Sequence, residues 1–74
     1  MRKKLKEART NMGYTQKEVA EKTDITRAHY TNIELGNKDP SFRVARKIKK
    51  VLKEEDDDIF LISNVPKRNN QQSA

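Results

Sequence analysis

The stretch Arg27-Ala28-His29-Tyr30-Thr31-Asn32-Ile33 carries side chains suited to recognition rather than reaction. A guanidinium binds guanine O6 and N7 together, a carboxamide pairs with adenine N6 and N7, and an alanine or threonine methyl packs on the thymine methyl. If Tyr30 and Ile33 lie on the buried side of a helix, at about 100° per residue, then Ala28, Thr31, Asn32 and Leu35 fall on the opposite face. Arg27 sits at the edge of that face, which is polar, small and only mildly charged, as a helix entering a major groove must be. An ordinary solvated helix face has the same composition, so both readings stand at this point. Leu35 covers the helix end or meets a partner and is not assigned to DNA.

Residues able to react are scarce. The chain has no cysteine, which excludes a disulfide framework and a thiolate metal site. Its one histidine, His29, has no second ligand of suitable type nearby and reads as a helix-flank residue or a phosphate neighbour. No glycine-rich phosphate loop and no Ser/His/Asp constellation is present, and five acids are gathered in one run, Glu54-Glu55-Asp56-Asp57-Asp58. These features predict no enzyme and no cofactor.

The elements that must position the recognising residues are helical. With 74 residues and 8.6 kDa there is room for one small domain. Leu5, Ala8 and Met12 recur at helical spacing and predict a first helix over 2–12, ended by Gly13. Thr15-Gln16-Lys17-Glu18 has the form of a capping box and starts a second helix over 15–22, with Val19 and Ala20 inward. Thr23-Asp24-Ile25 breaks the pattern, and Thr26 caps a third helix over 26–35, stopped by Gly36. Ser41 caps a fourth, whose inward stripe is Phe42, Ala45, Ile48 and Leu52, supported by Val44 and Val51. The acidic run favours the start of a further short helix ending near Ile59-Phe60. The expected fold is thus all-α, a compact four- to five-helix bundle over 1–60. A short strand over 61–65 and a disordered polar tail over 66–74 complete it.

Helices as short and as closely joined as the second and third must cross steeply, in the manner of a helix-turn-helix, although a generic helical hairpin has similar spacing. Residues 5–52, about two-thirds of the chain, resemble the lambda-repressor-like, Xre/Cro class of helix-turn-helix DNA-binding domains. The resemblance is carried by Leu5, Arg9, Thr15-Gln16, Val19-Ala20, Ile25-Thr26, Tyr30, Ile33-Glu34, Gly36, Pro40-Ser41, Ile48 and Leu52. It implies base reading by Arg27, Ala28, Thr31 and Asn32. It also implies phosphate contacts from Gln16, Thr26, Asn37 and Lys38, and an ion pair between Arg9 and Glu34 that ties the first helix to the third. One departure is Asp24, at a turn position where the family usually has glycine. Aspartate tolerates left-handed geometry better than most residues, so a small stability cost and an unchanged fold are expected.

Charge agrees with a polyanionic partner. Seventeen bases against eleven acids give +6, and outside the acidic run the same seventeen face only six, a net +11 over 69 residues. Such a surface attracts nucleic acid or an anionic membrane. The basic residues of the fourth helix, Arg43, Arg46, Lys47, Lys49, Lys50 and Lys53, read chiefly as a solvated face that steers association. No apolar run approaches the roughly 18 residues of a membrane span, and the basic start is not followed by an apolar stretch, so a cytoplasmic address is expected. The resulting expectation is a sequence-specific regulator of transcription on double-stranded DNA, a repressor acting as a homodimer without a small-molecule effector domain. Dimer contacts are expected from 59–65, unless that segment packs on its own domain. The competing reading is a protein-interaction module such as the antitoxin of a toxin–antitoxin pair.

Overall fold

Each of the last three helices starts at a hydroxyl that closes its first turn. Thr15 accepts from the Glu18 N–H at 3.0 Å while the Glu18 carboxylate accepts from the Thr15 N–H at 2.7 Å, a reciprocal capping box. Thr26 accepts from the His29 N–H at 3.0 Å, and Ser41 from the Val44 N–H at 3.2 Å. In the computed structural model, which describes residues 1–62, these caps open α2 (Gln16–Lys22), α3 (Arg27–Leu35) and α4 (Phe42–Leu52). They follow α1 (Lys3–Asn11), and a 3₁₀ turn (Asp57–Phe60) comes last. The described residues form an all-α domain without strands.

The helix ends are equally local in origin. Gly36 follows α3 at φ +87°, and a Cβ there would lie 3.1 Å from Ile62 Cδ1 and 3.3 Å from the Met1 nitrogen, so both backbone freedom and close approach call for glycine. Asp24 takes φ +62° in the turn between α2 and α3. Lys53 ends α4 at φ +57°, with the Glu54 N–H bonded to the Lys49 carbonyl at 2.9 Å, a left-handed cap on a residue that does not favour it.

Leu5 and Ala8 of α1, Val19 and Ala20 of α2, Tyr30 and Ile33 of α3, and Ile48 and Leu52 of α4 meet in one core, closed by Ile59 of the 3₁₀ turn. Each large aliphatic side chain fully buried there contributes about 1.5–3 kcal/mol of transfer free energy. α2 packs chiefly on α3, and α1 on the 3₁₀ turn.

Two expectations need correction. Phe42 is not part of the inward stripe: it is 80% exposed, with its ring 5.6 Å from the Arg46 guanidinium. At about 100° per residue it lies about 120° around the helix from Ile48, and Val44 and Val51 fill the stripe instead. The further short helix expected at the acidic run is present as a single 3₁₀ turn ending at Phe60, with Asp57 and Asp58 in its first turn and Asp56 capping the Asp58 N–H weakly at 3.4 Å. Finally, Leu61 and Ile62 are in no strand, and Ile59 is buried in its own domain and unavailable to a partner. The remainder of the strand expected over 61–65, and the tail at 66–74, lie outside the described residues.

Candidate nucleic-acid interface

Behind the exposed face of α3 lies a buried carboxylate with every lone pair in use. Glu34, 2% exposed, accepts at Oε2 from Arg9 Nε at 2.8 Å and from the Tyr30 hydroxyl at 2.8 Å. At Oε1 it accepts from Arg9 Nη2 at 3.2 Å and from Gln16 Nε2 at 3.1 Å. Two oxygens with four donors are fully satisfied. Burial alone would push the Glu34 carboxyl up, but the hydrogen bonds from Arg9, Gln16 and Tyr30 outweigh it and hold the pKa below the usual carboxylate range. The same pairing raises Arg9, and burial together with the adjacent Glu34 charge pushes the Tyr30 phenol up, so it stays a neutral donor. Arg9 also donates through Nη1 to the Tyr14 carbonyl at 2.8 Å, which fixes the α1–α2 turn. One ion centre therefore sets how α1, α2 and α3 cross.

That centre orients the surface. Because a carboxylate only accepts, it forces the Gln16 amide to turn its nitrogen inward. The Gln16 oxygen then accepts from the Thr31 hydroxyl at 2.9 Å. Gln16, Arg27, Ala28, Thr31 and Asn32 line one shallow, open depression across α2 and α3. A second depression, bounded by Arg9, Tyr14, Lys17 and again Gln16 and Arg27, continues it toward the α1–α2 turn. Arg27 and Ala28 are exposed, whereas Gln16, Thr31 and Asn32 are half-buried.

The other candidates lie at the ends of α3. Thr26 is exposed; its oxygen caps the helix, so its own proton remains free to donate. Asn37 and Lys38 are exposed in the loop after Gly36, and both backbone N–H groups bond the Asn32 carbonyl, at 2.9 and 3.2 Å. The Asn37 amide also donates to Asn32 Oδ1 at 3.3 Å, which uses one lone pair of that oxygen and leaves the other. His29 is half-buried on the flank of α3, and Leu35 is 48% exposed.

Sequence reasoning missed Arg2. Its side chain is almost wholly buried and donates to the carbonyls of Phe60 (2.8 Å), Ile33 (2.7 Å) and Lys38 (3.0 Å), and to Asp39 at 2.6 Å. It thereby anchors the loop that presents Lys38. Within Met1-Arg2-Lys3-Lys4 nothing in spacing or type sets it apart from its basic neighbours.

Two short, capped helices locked by a buried ion centre, with the second offering a polar face, define a helix-turn-helix module. A family described as Helix-turn-helix matches residues 5–59. Over 48 residues the chain is 52% identical to an uncharacterised HTH-type transcriptional regulator, YqaF, of Bacillus subtilis, a match covering 65% of this chain and 63% of that protein. It is 34% identical over 64 residues to an uncharacterised HTH-type transcriptional regulator of Archaeoglobus fulgidus, covering 86% of this chain and 91% of the other. A third such protein, from Methanothermobacter thermautotrophicus, is 36% identical over 63 residues, covering 84% and 91%. No solved structure matches. The chain belongs to the helix-turn-helix family of Xre/Cro type, and with it to the DNA-binding regulators of transcription rather than to the enzymes. Among the described residues no helix is long and apolar enough to cross a membrane.

Proposed function

We propose that this protein binds an operator in double-stranded DNA as a homodimer, with α3 of each protomer in the major groove, and represses transcription by occluding the promoter. The observation that carries this reading is the shared depression in which Arg27, Ala28, Thr31 and Asn32 lie side by side, rigidly backed by Glu34. Arg27 supplies a guanidinium for guanine, Asn32 a carboxamide for adenine, and Ala28 and Thr31 methyl groups for thymine. Gln16, the Thr26 hydroxyl, Asn37 and Lys38 contact phosphates on either side of the groove, where they set register rather than sequence. One module of this size covers little DNA, and useful specificity follows from two copies reading half-sites about one helical turn apart.

The test is selection from random duplex DNA with the purified protein at about 150 mM salt, near-physiological ionic strength. An inverted repeat with half-sites about a turn apart supports the whole reading. A single half-site retains base reading and removes the homodimer. Binding without sequence enrichment removes base reading itself.

A further inference from the structure

The Thr31 hydroxyl carries one proton, and the inside of the domain decides where it points. Glu34, buried and paired with Arg9, offers acceptors only, so the Gln16 amide meets it with its nitrogen, 3.1 Å from Oε1. The Gln16 oxygen is thereby turned to Thr31, whose hydroxyl donates to it at 2.9 Å. The amide has no second orientation open to it, because its oxygen would then face a carboxylate with no proton between them. Polarity therefore runs outward from the buried carboxylate: Glu34 accepts from Gln16, Gln16 accepts from Thr31, and the Thr31 oxygen is left with lone pairs alone. That oxygen belongs to the half-buried side chain in the depression shared with Gln16, Arg27, Ala28 and Asn32.

In a major groove a committed proton selects bases. Adenine N6 and cytosine N4 donate there, whereas guanine O6 and N7 and thymine O4 accept. A hydroxyl free to rotate suits either class, but an oxygen whose proton is already placed suits only the amino bases. Against a keto oxygen it sets lone pair against lone pair in a contact from which water has been expelled, and both groups stay unpaired. We propose that Thr31 distinguishes amino from keto bases at one position of the operator, and that Gln16, held by Glu34, is the positioning residue that fixes this preference. The inference rests on the base-reading role of α3 proposed above and is independent of the dimer. Adenine is the better match of the two amino bases, because its pair also carries the thymine methyl on which the Thr31 methyl packs.

Titrations of the full chain on synthetic duplexes test it. Selection from random DNA supplies the operator, and repeating it with Thr31→Val, which keeps the branched shape and lacks the hydroxyl, marks the base pair that Thr31 faces. Among four duplexes differing at that pair alone, the two tightest are expected to carry adenine and cytosine on one strand, ahead of the others by about tenfold, with adenine first. In the adenine duplex, an adenine analogue lacking the N6 amino group should forfeit that advantage, whereas a thymine analogue lacking O4 should not. Both analogues lose the same Watson–Crick bond, so each controls for the other, and in Thr31→Val they become equivalent. Gln16→Met, which has no oxygen to take the proton, should weaken binding to every duplex through the lost phosphate contact and also shrink the adenine-to-guanine ratio. Gln16→Lys, which can still donate to Glu34, should shrink the ratio as well, whereas a merely structural loss lowers all four duplexes alike. Tightest binding to the two purines of one strand, or to an A·T pair in either orientation, overturns the acceptor role of Thr31. A larger loss from the thymine analogue, or a Thr31→Val selection identical to wild type, does the same, and other α3 residues then carry the reading. An unchanged ratio in both Gln16 variants, folded by circular dichroism, overturns the positioning role of Gln16. A wild type that enriches no sequence overturns base reading by α3 itself.

Discussion

Gln16 illustrates how much of a recognition surface is committed before any ligand arrives. Its nitrogen faces Glu34 and its oxygen faces Thr31, so one amide proton is left for a phosphate. Asn32 and Lys38 separate reading from positioning. Asn32→Ala is expected to relax base preference at one position, by about 1–3 kcal/mol, leaving other positions unchanged. Lys38→Ala should weaken binding to all sequences alike and flatten the dependence of log affinity on log salt by about one. Titrations over a panel of single-base operator variants distinguish the two, and equal effects on every sequence would refute the division of labour. Asp24 offers a test that involves no DNA. At φ +62° it carries a left-handed penalty of about 1 kcal/mol that glycine lacks, partly offset by the larger entropy glycine loses on folding. Asp24→Gly should therefore stabilise the fold by about 0.5 kcal/mol, seen as a higher thermal midpoint with operator affinity unaltered.

The helices were legible where their determinants are local. Thr15, Glu18, Thr26 and Ser41 stand at capping distance from the amides they serve, and the structure closes those bonds within three residues. What escaped reading depends on partners far along the chain. Phe42 looked like core by type, and only the choice between it and Val44 against Ile48 decided otherwise. Arg2 has no local partner at all: its acceptors lie 31 to 58 residues away. Arg2→Met keeps the length and removes donors from three carbonyls, with an expected cost of about 2–3 kcal/mol in chemical denaturation. Glu34→Gln strands the Arg9 charge and should cost up to about 3–5 kcal/mol. The accompanying pH dependence has a definite sign. Because the native Glu34 pKa is depressed, its stabilisation is complete above the ordinary carboxylate range, about 4.3, and is lost as pH falls through the lower native value. Glu34→Gln should accordingly show a shallower acid limb, and an unchanged limb would remove Glu34 from the account of acid unfolding.

For the whole molecule the relevant quantity is the spacing between two reading helices. If two protomers act on one face of the duplex, inserting about 5 base pairs between half-sites turns them to opposite faces and should abolish joint occupancy, and about 10 should restore the alignment. Footprinting on such spacer variants checks this, and joint occupancy at every spacing would exclude a fixed dimer.

Arg2 also bears on the order in which the domain is completed. A chain made from its N-terminus exposes α1 first, yet the acceptors that hold Arg2 arrive with Ile33, Lys38 and finally Phe60. The earliest helix is thus among the last to be locked, and α2 and α3, joined by a short turn and local caps, have time to find each other before it. A nascent protein released before the 3₁₀ turn emerges would keep the Arg2 bonds to Ile33, Lys38 and Asp39 but lack the one to Phe60 and the Ile59 side chain that closes the core, so truncation there should yield a species in which proteases cut α1 more readily.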